Sequence, residues 1–434
     1  MVITGLSLKI EKIPLRTPFI TALRKVDSVE NIIVMLHTDT PLLGKGAAPA
    51  TKAVTGEDLK SISGTVKNMI FPSLYKQPFD LKKLISLTHS SCKGNSSAKA
   101  AVEIALYDLA SKFKDQNLVK FLGGGPKELK TAVTISLNEP DTMARDASIA
   151  FAKGLRILKI KVGGKDGKDI ERIRAVRKSV TEAELLIDAN QAWSVEESLN
   201  IISAVENLGI ALIEQPVTGD DIEGLGLITR QSSIPILADE AVFTLEDAKK
   251  VIERQAADMI NIKLMKCGGI SKAIEIIGYC RTHKIKCMMG SMLEGPISIT
   301  AAAELVMAYP EVFSYIDLDS PLLYKNIPTG SGLKFFNNTL ALEQYEPYSL
   351  YILQCSDGTY YTGIAKDIEK RIIEHNNSPQ GAKYTRSRRP VELVYEERHR
   401  SKSSALKREM ELKKMPREKK EKLILQQSGI IQHL

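Results

Sequence analysis

Six charged residues in the middle of the chain each close a short apolar run. They are Lys159, Lys161, Asp188, Glu214, Asp239 and Lys263. From one run to the next they lie about 24–29 residues apart, roughly the length of one strand plus one helix. Charged side chains that end buried strands are costly unless they are paired or bind a metal. One such residue per strand–helix unit predicts an active site at the mouth of a β/α barrel.

The three carboxylates in this set predict a metal site. Asp188, Glu214 and Asp239 end three successive predicted strands, so a parallel barrel would bring them together at one end. Carboxylates so close repel one another unless a cation lies between them. Hard oxygen ligands, with water or substrate completing the shell, suit Mg²⁺.

The three lysines predict proton transfer. Lys159 and Lys161 are two apart on one strand and point to the same side, whereas Lys263 follows about four strands further round. Lysines on opposite sides of a metal can remove and return a proton on opposite faces of one carbon, while the metal holds the enolate charge. Crowding by a second lysine and the metal is expected to lower the pKa of the base. The competing interpretation is that these are surface loop residues that match the pattern by chance.

Eight apolar runs between Pro126 and Ser320 are the predicted strands that position these residues. They read TAVTIS, RILKIKV, ELLIDAN, IALIEQP, IPILADE, DMINIKL, IKCMMGS and FSYIDLD. Helical stretches such as KDIERIRAVRKSV lie between them. Eight strands with helical crossovers favour an α/β parallel barrel over an open sheet. The length is compact for eight units, so the last helix is expected to be missing or degenerate, a (β/α)7β barrel.

The barrel is flanked by two other predicted regions. Residues 1–125 mix alternating strands with helices, and residues 321–345 are expected to pack back on them as part of one α+β domain. Residues 346–434 have a different sequence pattern. There LYILQCSDGTYYTGI predicts a hairpin around Asp357-Gly358, and DIEKRIIEHNN predicts a helix capped by Asp367. A strand, PVELVYEER, and a basic helix, SSALKREMELKKM, complete a small α+β domain.

Composition excludes several classes of protein. The chain has 434 residues, 43% hydrophobic and 26% charged, as in ordinary globular proteins. It has no apolar run near the ~20 residues of a membrane span, and its first residues contain no signal-peptide core. Five scattered cysteines without a C-x-x-C pair indicate neither disulfides nor a zinc site. We therefore expect a cytoplasmic protein without a membrane partner.

The positive charge is concentrated at the carboxyl end. After Tyr345 there are 18 Lys+Arg and 12 Asp+Glu, a net charge of +6, against +2 for the first 345 residues. A basic segment of this kind favours contact with nucleic acid there. The alternative is a solvated helical tail.

The barrel residues resemble the enolase superfamily, in its muconate-lactonizing-enzyme-like branch. That branch carries K-x-K on the second strand, Asp, Glu and Asp on the next three, and Lys on the sixth, as at the six positions above. The resemblance spans about 345 residues, with residues 1–125 as the capping domain and residues 126–320 as the catalytic barrel. It implies that Lys161 and Lys263 are the paired acid and base, that Lys159 assists electrostatically, and that the three carboxylates bind Mg²⁺. It is also compatible with a homo-oligomer assembled through the barrels.

Within that branch, the eighth strand resembles the dipeptide epimerases. Asp317 and Asp319 are two apart, and an acidic pair on one face suits the free ammonium group of a small dipeptide. Arg24 lies in a region similar to the cap loop that faces a glutamate side chain. The resemblance implies 1,1-proton transfer at the C-terminal residue of dipeptides of the L-Ala-D/L-Glu type, in the recycling of murein peptides. N-acylamino acid racemases, o-succinylbenzoate synthases and cycloisomerases remain alternatives, although their substrates lack the ammonium group.

Residues 348–424 resemble the GIY-YIG endonuclease family. The stretches YILQCSDGTYYTGI, EKRIIEHN, GAKYTRSRRPVELVYEE and ALKREMELK carry the similarity. The resemblance implies that Tyr351 and Tyr361 belong to the two name-giving elements, that Arg371 and His375 contact the scissile phosphate, and that Glu409 binds a divalent metal. The first element departs from the family pattern, reading Leu350-Tyr351-Ile352, and the second has Thr362 in place of isoleucine.

The basic stretch at residues 383–389 suits phosphate contacts, which would weaken as salt rises. Its alternative is a charged surface loop. We rank the epimerase first, with a nucleic-acid-binding or cleaving protein as the competing main role.

Overall fold

A computed structural model describes residues 1–22, 24–326, 328, 332–342, 348–399 and 402–432. It divides the chain into two units, Met1–Ala341 and Leu342–Leu434. The first unit begins with an antiparallel sheet in the order β1-β2-β3. Its strands are β1 (Ile3–Ile20), β2 (Lys25–Thr38) and β3 (Leu43–Pro49).

Six helices and a π-helical turn follow this sheet. They are α1 (Lys52–Thr55), α2 (Leu59–Thr65), the turn Val66–Ile70, α3 (Phe71–Leu74), α4 (Leu81–Ser90), α5 (Ser96–Phe113) and α6 (Leu118–Phe121). The apolar face of α5 packs on β3 at very short range. A Cβ atom on Gly46 would lie 1.9 Å from the carbonyl oxygen of Ala101 on α5. Glycine at this position therefore lets helix and sheet approach, and the two form the capping part of the unit.

Eight parallel strands form a nearly closed barrel after the short strand β4 (Leu129–Lys130). They are β5 (Val133–Ile135), β6 (Ile157–Lys161), β7 (Glu184–Asp188), β8 (Ile210–Glu214), β9 (Ile236–Ala238), β10 (Met259–Ile262), β11 (Lys286–Gly290) and β12 (Phe313–Asp317). The backbone N–H of Ala132, just before β5, donates to the carbonyl oxygen of Ile316 on β12 and joins the two edges. Apolar side chains from successive strands, such as Leu186 on β7, Leu212 on β8 and Leu237 on β9, form a buried cluster.

Helices cross between successive strands and confirm the predicted α/β barrel. They are α7 (Pro140–Ala152), α8 (Asp169–Ser179), α9 (Val195–Val205) with the 3₁₀ turn Glu206–Leu208, α10 (Ile222–Gln231), α11 (Leu245–Glu253), α12 (Leu264–Cys267), α13 (Ile270–Thr282) and α14 (Pro296–Ala308). Between β12 and the next strand, the residues that the structure describes form one short helix, α15 (Ser320–Leu323), as expected for a degenerate last helix.

The chain then returns toward its beginning. Lys325 donates through its backbone N–H to the carbonyl oxygen of Pro14 on β1. Strands β13 (Leu333–Phe336) and β14 (Thr339–Leu342) form a small sheet with β4 instead. The division of the first unit at residues 125 and 320 stays a prediction.

The second unit is a three-stranded antiparallel sheet with helices. Its elements are β15 (Tyr348–Cys355), β16 (Tyr360–Ala365), α16 (Ile368–Asn377), α17 (Lys383–Arg386), β17 (Val391–His399), α18 (Lys402–Lys414) and α19 (Arg417–Gln432). The hairpin turns at Asp357-Gly358, where Gly358 has a positive φ of 74°, and Asp367 caps α16 by accepting from the backbone N–H of Lys370. Across the described residues, no helix has both the length and the apolar character needed to cross a membrane.

Candidate active site

The six charged residues lie together at the carboxyl end of the barrel strands. Lys161 on β6 is in register with Asp188 at the end of β7, and Asp188 is in register with Glu214 at the end of β8. Asp239 and Lys263 are the first residues after β9 and β10. These five side chains are buried, as is that of Lys159. The parallel register therefore turns positions far apart in sequence into one buried cluster of charges.

Lys159 lies at the centre of this cluster. Its Nζ is 2.6 Å from Glu214 Oε2, 2.7 Å from Asp317 Oδ2 and 3.1 Å from Asp188 Oδ2. Burial opposes the charge of this amine, but the surrounding carboxylates, Asp317 first, raise its pKa well above the ordinary value. Lys159 therefore supplies a fixed positive charge among the carboxylates.

Lys161 and Lys263 occupy opposite sides of the barrel mouth. Strands β6 and β10 are four places apart in the order of the eight strands. Lys161 Nζ is 2.5 Å from Asp188 Oδ2, and Lys263 Nζ is 2.5 Å from Asp239 Oδ2. Burial opposes the charge of Lys263, but Asp239 raises its pKa above the ordinary value. The direct pairing with a carboxylate causes this rise, whereas the lowering expected from crowding includes the charge of a bound metal and stays a prediction.

The carboxylates offer a donor set that fits a divalent cation. Burial and the adjacent Asp188 raise the pKa of Glu214 to about 7, so a positive charge is needed nearby to keep the group ionised. Lysine ammonium groups offset only part of this shift. Among the described residues, no three Asp, Glu, His or Cys side chains converge as a ready metal site. By their chemistry, Asp188, Glu214 and Asp239 fit Mg²⁺, which prefers oxygen ligands.

Two supporting residues were missed in the sequence. Lys266 on α12 donates to Asp239 Oδ1 at 2.6 Å and to the backbone oxygen of Asn261 at 3.0 Å. Asn261 donates through Nδ2 to Glu214 Oε1 at 2.9 Å. Strand alternation could have found Asn261, which lies two residues before Lys263. Lys266 follows no apolar run, so the pattern used for the other lysines does not reach it.

The acidic pair of the eighth strand is only partly on that strand. Asp317 is the last residue of β12, and Asp319 lies two residues beyond it. Asp319 Oδ2 accepts from the backbone N–H of Thr134 at 2.7 Å. Burial, followed by the charge of Asp317, raises the pKa of Asp319 to about 6. Strand alternation therefore does not explain the pair, but both carboxylates line the same pocket.

That pocket also contains the arginine predicted from the capping region. Its lining includes Lys161, Lys263, Asp317, Asp319 and Arg24. Arg24 lies between β1 and β2, is half-buried, and has its pKa lowered by burial. Among the ion pairs of the described residues, no carboxylate partner stands beside its guanidinium. A half-buried cation without such a partner is suited to an anionic group of a ligand.

In the second unit, Tyr351 and His375 form a buried pair. The Tyr351 hydroxyl is 2.9 Å from His375 Nε2, and His375 Nδ1 is 2.8 Å from Thr385 Oγ1. Tyr361 packs against both rings, with centroids 6.3 Å from Tyr351 and 5.1 Å from His375. The structure therefore brings three of the predicted residues of this unit into contact.

The two charged residues predicted for this unit lie beside the pair. Arg371 precedes His375 by one helical turn on α16 and forms an ion pair with Glu374 at 2.6 Å. Glu409 on α18 is 2.9 Å from Lys413 Nζ. Burial is the main cause that raises the pKa of Tyr351 to about 12, with smaller contributions from Tyr361 and Glu409, while Arg371 opposes the shift. Arg371 and Glu409 therefore act electrostatically on the buried tyrosine, and their shared role in one site stays a prediction.

Arginine side chains of the basic stretch at residues 383–389 bind other residues of the second unit. Arg389 donates to the backbone oxygen of His375 at 2.6 Å. Arg386 donates to the backbone oxygen of Gly381 at 3.0 Å, and Arg388 is 2.9 Å from Asp357 Oδ2. These contacts hold the loop in place, and phosphate binding by the stretch stays a prediction.

His375 is expected to remain neutral at pH 7. Burial, assisted by the charge of Arg371, lowers its pKa to about 4. Because the unfolded chain takes up this proton near pH 6.5, the second unit should lose stability as the pH falls from about 6.5 to about 4. Histidine-selective NMR titration measures this pKa, and a His375→Gln variant identifies the resonance. Titration near the ordinary value would contradict the burial seen here.

Comparison with known families finds three matching segments along the chain. Residues 4–123 match the model described as mandelate racemase / muconate lactonizing enzyme, N-terminal domain. Residues 142–344 match the model described as enolase C-terminal domain-like. Residues 347–422 match the GIY-YIG catalytic domain.

Individual proteins are similar to the first part of the chain. The L-amino acid-D/L-Glu epimerase of Sulfurimonas denitrificans is 48% identical over 331 residues, which is 76% of this chain and 96% of that protein. A substrate-liganded complex of the L-Ala-D/L-Glu epimerase from Bacillus subtilis has a TM-score of 0.77 and 38% identity, covering 79% of this chain and 96% of that one. A dipeptide epimerase from Enterococcus faecalis, complexed with Mg and L-Leu-L-Tyr, has a TM-score of 0.76 and 35% identity, covering 79% and 97%.

Proposed function

Because this chain belongs to the enolase superfamily, with a GIY-YIG domain at its carboxyl end, we propose that its first unit is a Mg²⁺-dependent dipeptide epimerase. The reaction is 1,1-proton transfer at the C-terminal residue of dipeptides of the L-Ala-D/L-Glu type. The observation that carries this proposal is the position of Lys161 and Lys263 on opposite sides of one pocket, beside three buried carboxylates.

The two lysines perform the proton transfers. One lysine removes the proton from the α-carbon, and the other returns a proton to the opposite face, which inverts the configuration. Asp188, Glu214 and Asp239 would hold Mg²⁺, whose positive charge would favour loss of the α-proton. Lys159 adds a fixed charge from its place among the carboxylates.

The pocket also supports the choice of substrate. Asp317 and Asp319 together attract the ammonium group of the dipeptide, which a racemase substrate with an acylated nitrogen lacks. Arg24 pairs with the side-chain carboxylate of the epimerised glutamate, for which its guanidinium geometry is suited. The ammonium group and the side-chain carboxylate of the dipeptide are thereby each held by protein groups of opposite charge, and the α-carbon lies between the two lysines.

Incubation of L-Ala-L-Glu with the protein and Mg²⁺ in D₂O, followed by NMR, tests the proposal. We expect deuterium at the glutamate α-carbon together with L-Ala-D-Glu. Exchange with other dipeptides but not with L-Ala-L-Glu would support the proposed reaction and assign it a different substrate. Absence of exchange with every dipeptide would reject the epimerase, and N-acylamino acids would then be the substrates to examine.

Arg24→Met should change specificity more than catalysis. Without a partner for its side-chain carboxylate, L-Ala-L-Glu should lose about 100-fold in kcat/KM, whereas L-Ala-L-Leu should change by less than about 3-fold. Lys25→Met alters the exposed neighbouring residue and serves as the matched control. Equal losses with both dipeptides would exclude recognition of the side chain by Arg24.

For the second unit, we propose divalent-metal-dependent cleavage of nucleic acid. The convergence of Tyr351, Tyr361, Arg371, His375 and Glu409 favours this function. Glu409 would bind the metal, and Arg371 would contact the phosphate. Glu409→Ala should abolish cleavage of plasmid or single-stranded DNA, while Glu411→Ala, at a more exposed position two residues on, should not. Cleavage that persists in Glu409→Ala would reject the proposal.

A further inference from the structure

The carboxylate of Glu103 is buried where the capping helix α5 meets the barrel. Its Oε2 is 2.5 Å from His89 Nε2 and 2.9 Å from Ser271 Oγ. Its Oε1 accepts a short hydrogen bond from the backbone N–H of Ser271. His89 belongs to α4 of the capping part, and Ser271 belongs to α13 of the barrel. Glu103 therefore joins the two parts of the unit through a fully buried charge.

This carboxylate acts as a helix cap supplied from another element. Ser271 is in the first turn of α13, where backbone N–H groups have no partner within the helix. The residue at the cap position is Gly269, which has a positive φ of 133° and no side chain to accept a hydrogen bond. A Cβ atom on Gly269 would lie 2.7 Å from Glu103 Cδ. The glycine makes room for the carboxylate, and the helix N-terminus favours its negative charge.

The short helix α12 connects Lys263 to the capped first turn of α13. The backbone oxygen of Lys263 accepts from the N–H groups of Lys266 at 3.0 Å and Cys267 at 3.2 Å, which builds the single turn α12. Lys266 holds the inner side of this segment on Asp239 at 2.6 Å. Glu103 holds its other end through Ser271.

The two proposed proton-transfer lysines are thus fixed in different ways. Lys161 is within β6 and in register with Asp188 on the neighbouring strand. Lys263 lies one residue beyond β10, so its backbone depends on the turn that follows. A change at the far end of that turn should displace Lys263 and leave Lys161 in place.

We propose that Glu103 is a positioning residue for Lys263, through which the capping part controls proton transfer on one face of the substrate. This inference rests on the proposed epimerase function. Misplacement of a reacting group by about 1 Å can cost about 100-fold in rate, so a weakened clamp should be visible in kinetics.

The test follows each face of the α-carbon separately. L-Ala-L-Glu and L-Ala-D-Glu are incubated in separate D₂O samples with Mg²⁺, and initial loss of the α-proton is measured by NMR. Lys263→Ala identifies the isomer whose proton Lys263 removes. In Glu103→Gln we expect exchange of that isomer to fall by about 10-fold or more, and exchange of the other by less than about 3-fold. The other isomer should also exchange with retention more often, because return of a proton by Lys263 is slowed.

Glu304→Gln is the matched control. Glu304 on α14 is another buried carboxylate that joins barrel and cap, but it accepts from the backbone N–H of Val119 at 3.4 Å. Its loss should leave the ratio of the two exchange rates unchanged.

Two results would overturn the inference. An unchanged ratio of the two exchange rates in Glu103→Gln would exclude a specific effect on Lys263, as would the same shift of the ratio in Glu304→Gln. If Glu103→Gln does not fold, Ser271→Ala removes only the hydroxyl contact and should shift the ratio in the same direction by a smaller factor. Absence of exchange in the unmodified protein would reject the proposed function itself.

Discussion

Lys161→Ala should lower the rate of L-Ala-L-Glu epimerisation by about 1,000-fold or more, since a positioned base contributes about 10²–10⁴. The lysine lines the pocket with its amine 2.5 Å from Asp188 Oδ2. Folding should survive the change, because Asp188 keeps Lys159 as a partner at 3.1 Å. Epimerisation is measured by NMR or polarimetry, and the melting temperature confirms that the fold is intact.

The variant should also retain a partial reaction. Lys263 remains, so one of the two isomers of the dipeptide should still exchange its α-proton with D₂O without inversion. Lys165→Ala, at an exposed lysine just beyond the same strand, provides the control and should be fully active. Full epimerase activity in Lys161→Ala would show that the acid and base are other residues. DNA cleavage, where present, should be unaffected by this change.

Glu214→Gln should separate stability from function. Burial and Asp188 raise the pKa of Glu214 to about 7, above its ordinary value of 4.5. Because the folded pKa is the higher one, the metal-free protein loses stability as the pH rises between these values, and at pH 8 the full loss is present. Glutamine has nearly the same shape without the charge, so the metal-free variant should melt at an equal or higher temperature. Its Mg²⁺-dependent activity should fall by about 100-fold or more.

The only tryptophan of the chain offers a second measurement of metal binding. Trp193 follows β7, and its backbone N–H donates to the oxygen of Pro216, just after β8. Titration with Mg²⁺ should therefore change Trp193 fluorescence in the unmodified protein and much less in Glu214→Gln. The exposed Glu182→Gln is the control for a change of charge alone. A variant that melts lower, or that binds Mg²⁺ as before, would contradict the assigned role of Glu214.

The architecture was predictable because six of the eight barrel strands are apolar runs that end in a charged residue or are followed directly by one. Burial makes such a charge costly, so its recurrence indicates a shared site, and the structure does bring Lys161, Asp188 and Glu214 into register. Asp319 was placed on the strand by alternation, but β12 ends at Asp317. The error arose because the period of a strand was extended past its end, into the turn before α15.

Contacts between distant elements were beyond the sequence patterns. Lys266 is one of many lysines, and only the fold shows that it donates to Asp239. Glu103 lies in a helix that is buried nearly all round, where no polar stripe singles it out. Its partner Ser271 is 168 residues away. The backbone N–H of Ser271 needs an acceptor because Gly269, at the cap position of α13, has no side chain to supply one, and this is visible only in the fold. The pairing of Lys263 with Asp239, which raises the pKa of that lysine, also depends on folded geometry and was not visible in the sequence.

The division of the chain at Ala341 has a consequence for the supply of the two activities. One chain carries one copy of each proposed site, so synthesis of this chain produces the two sites in a fixed ratio of one to one. A change in transcription or translation of this chain raises or lowers the amounts of both sites together. Within this chain, one activity therefore changes independently of the other only through the turnover rate of its own site.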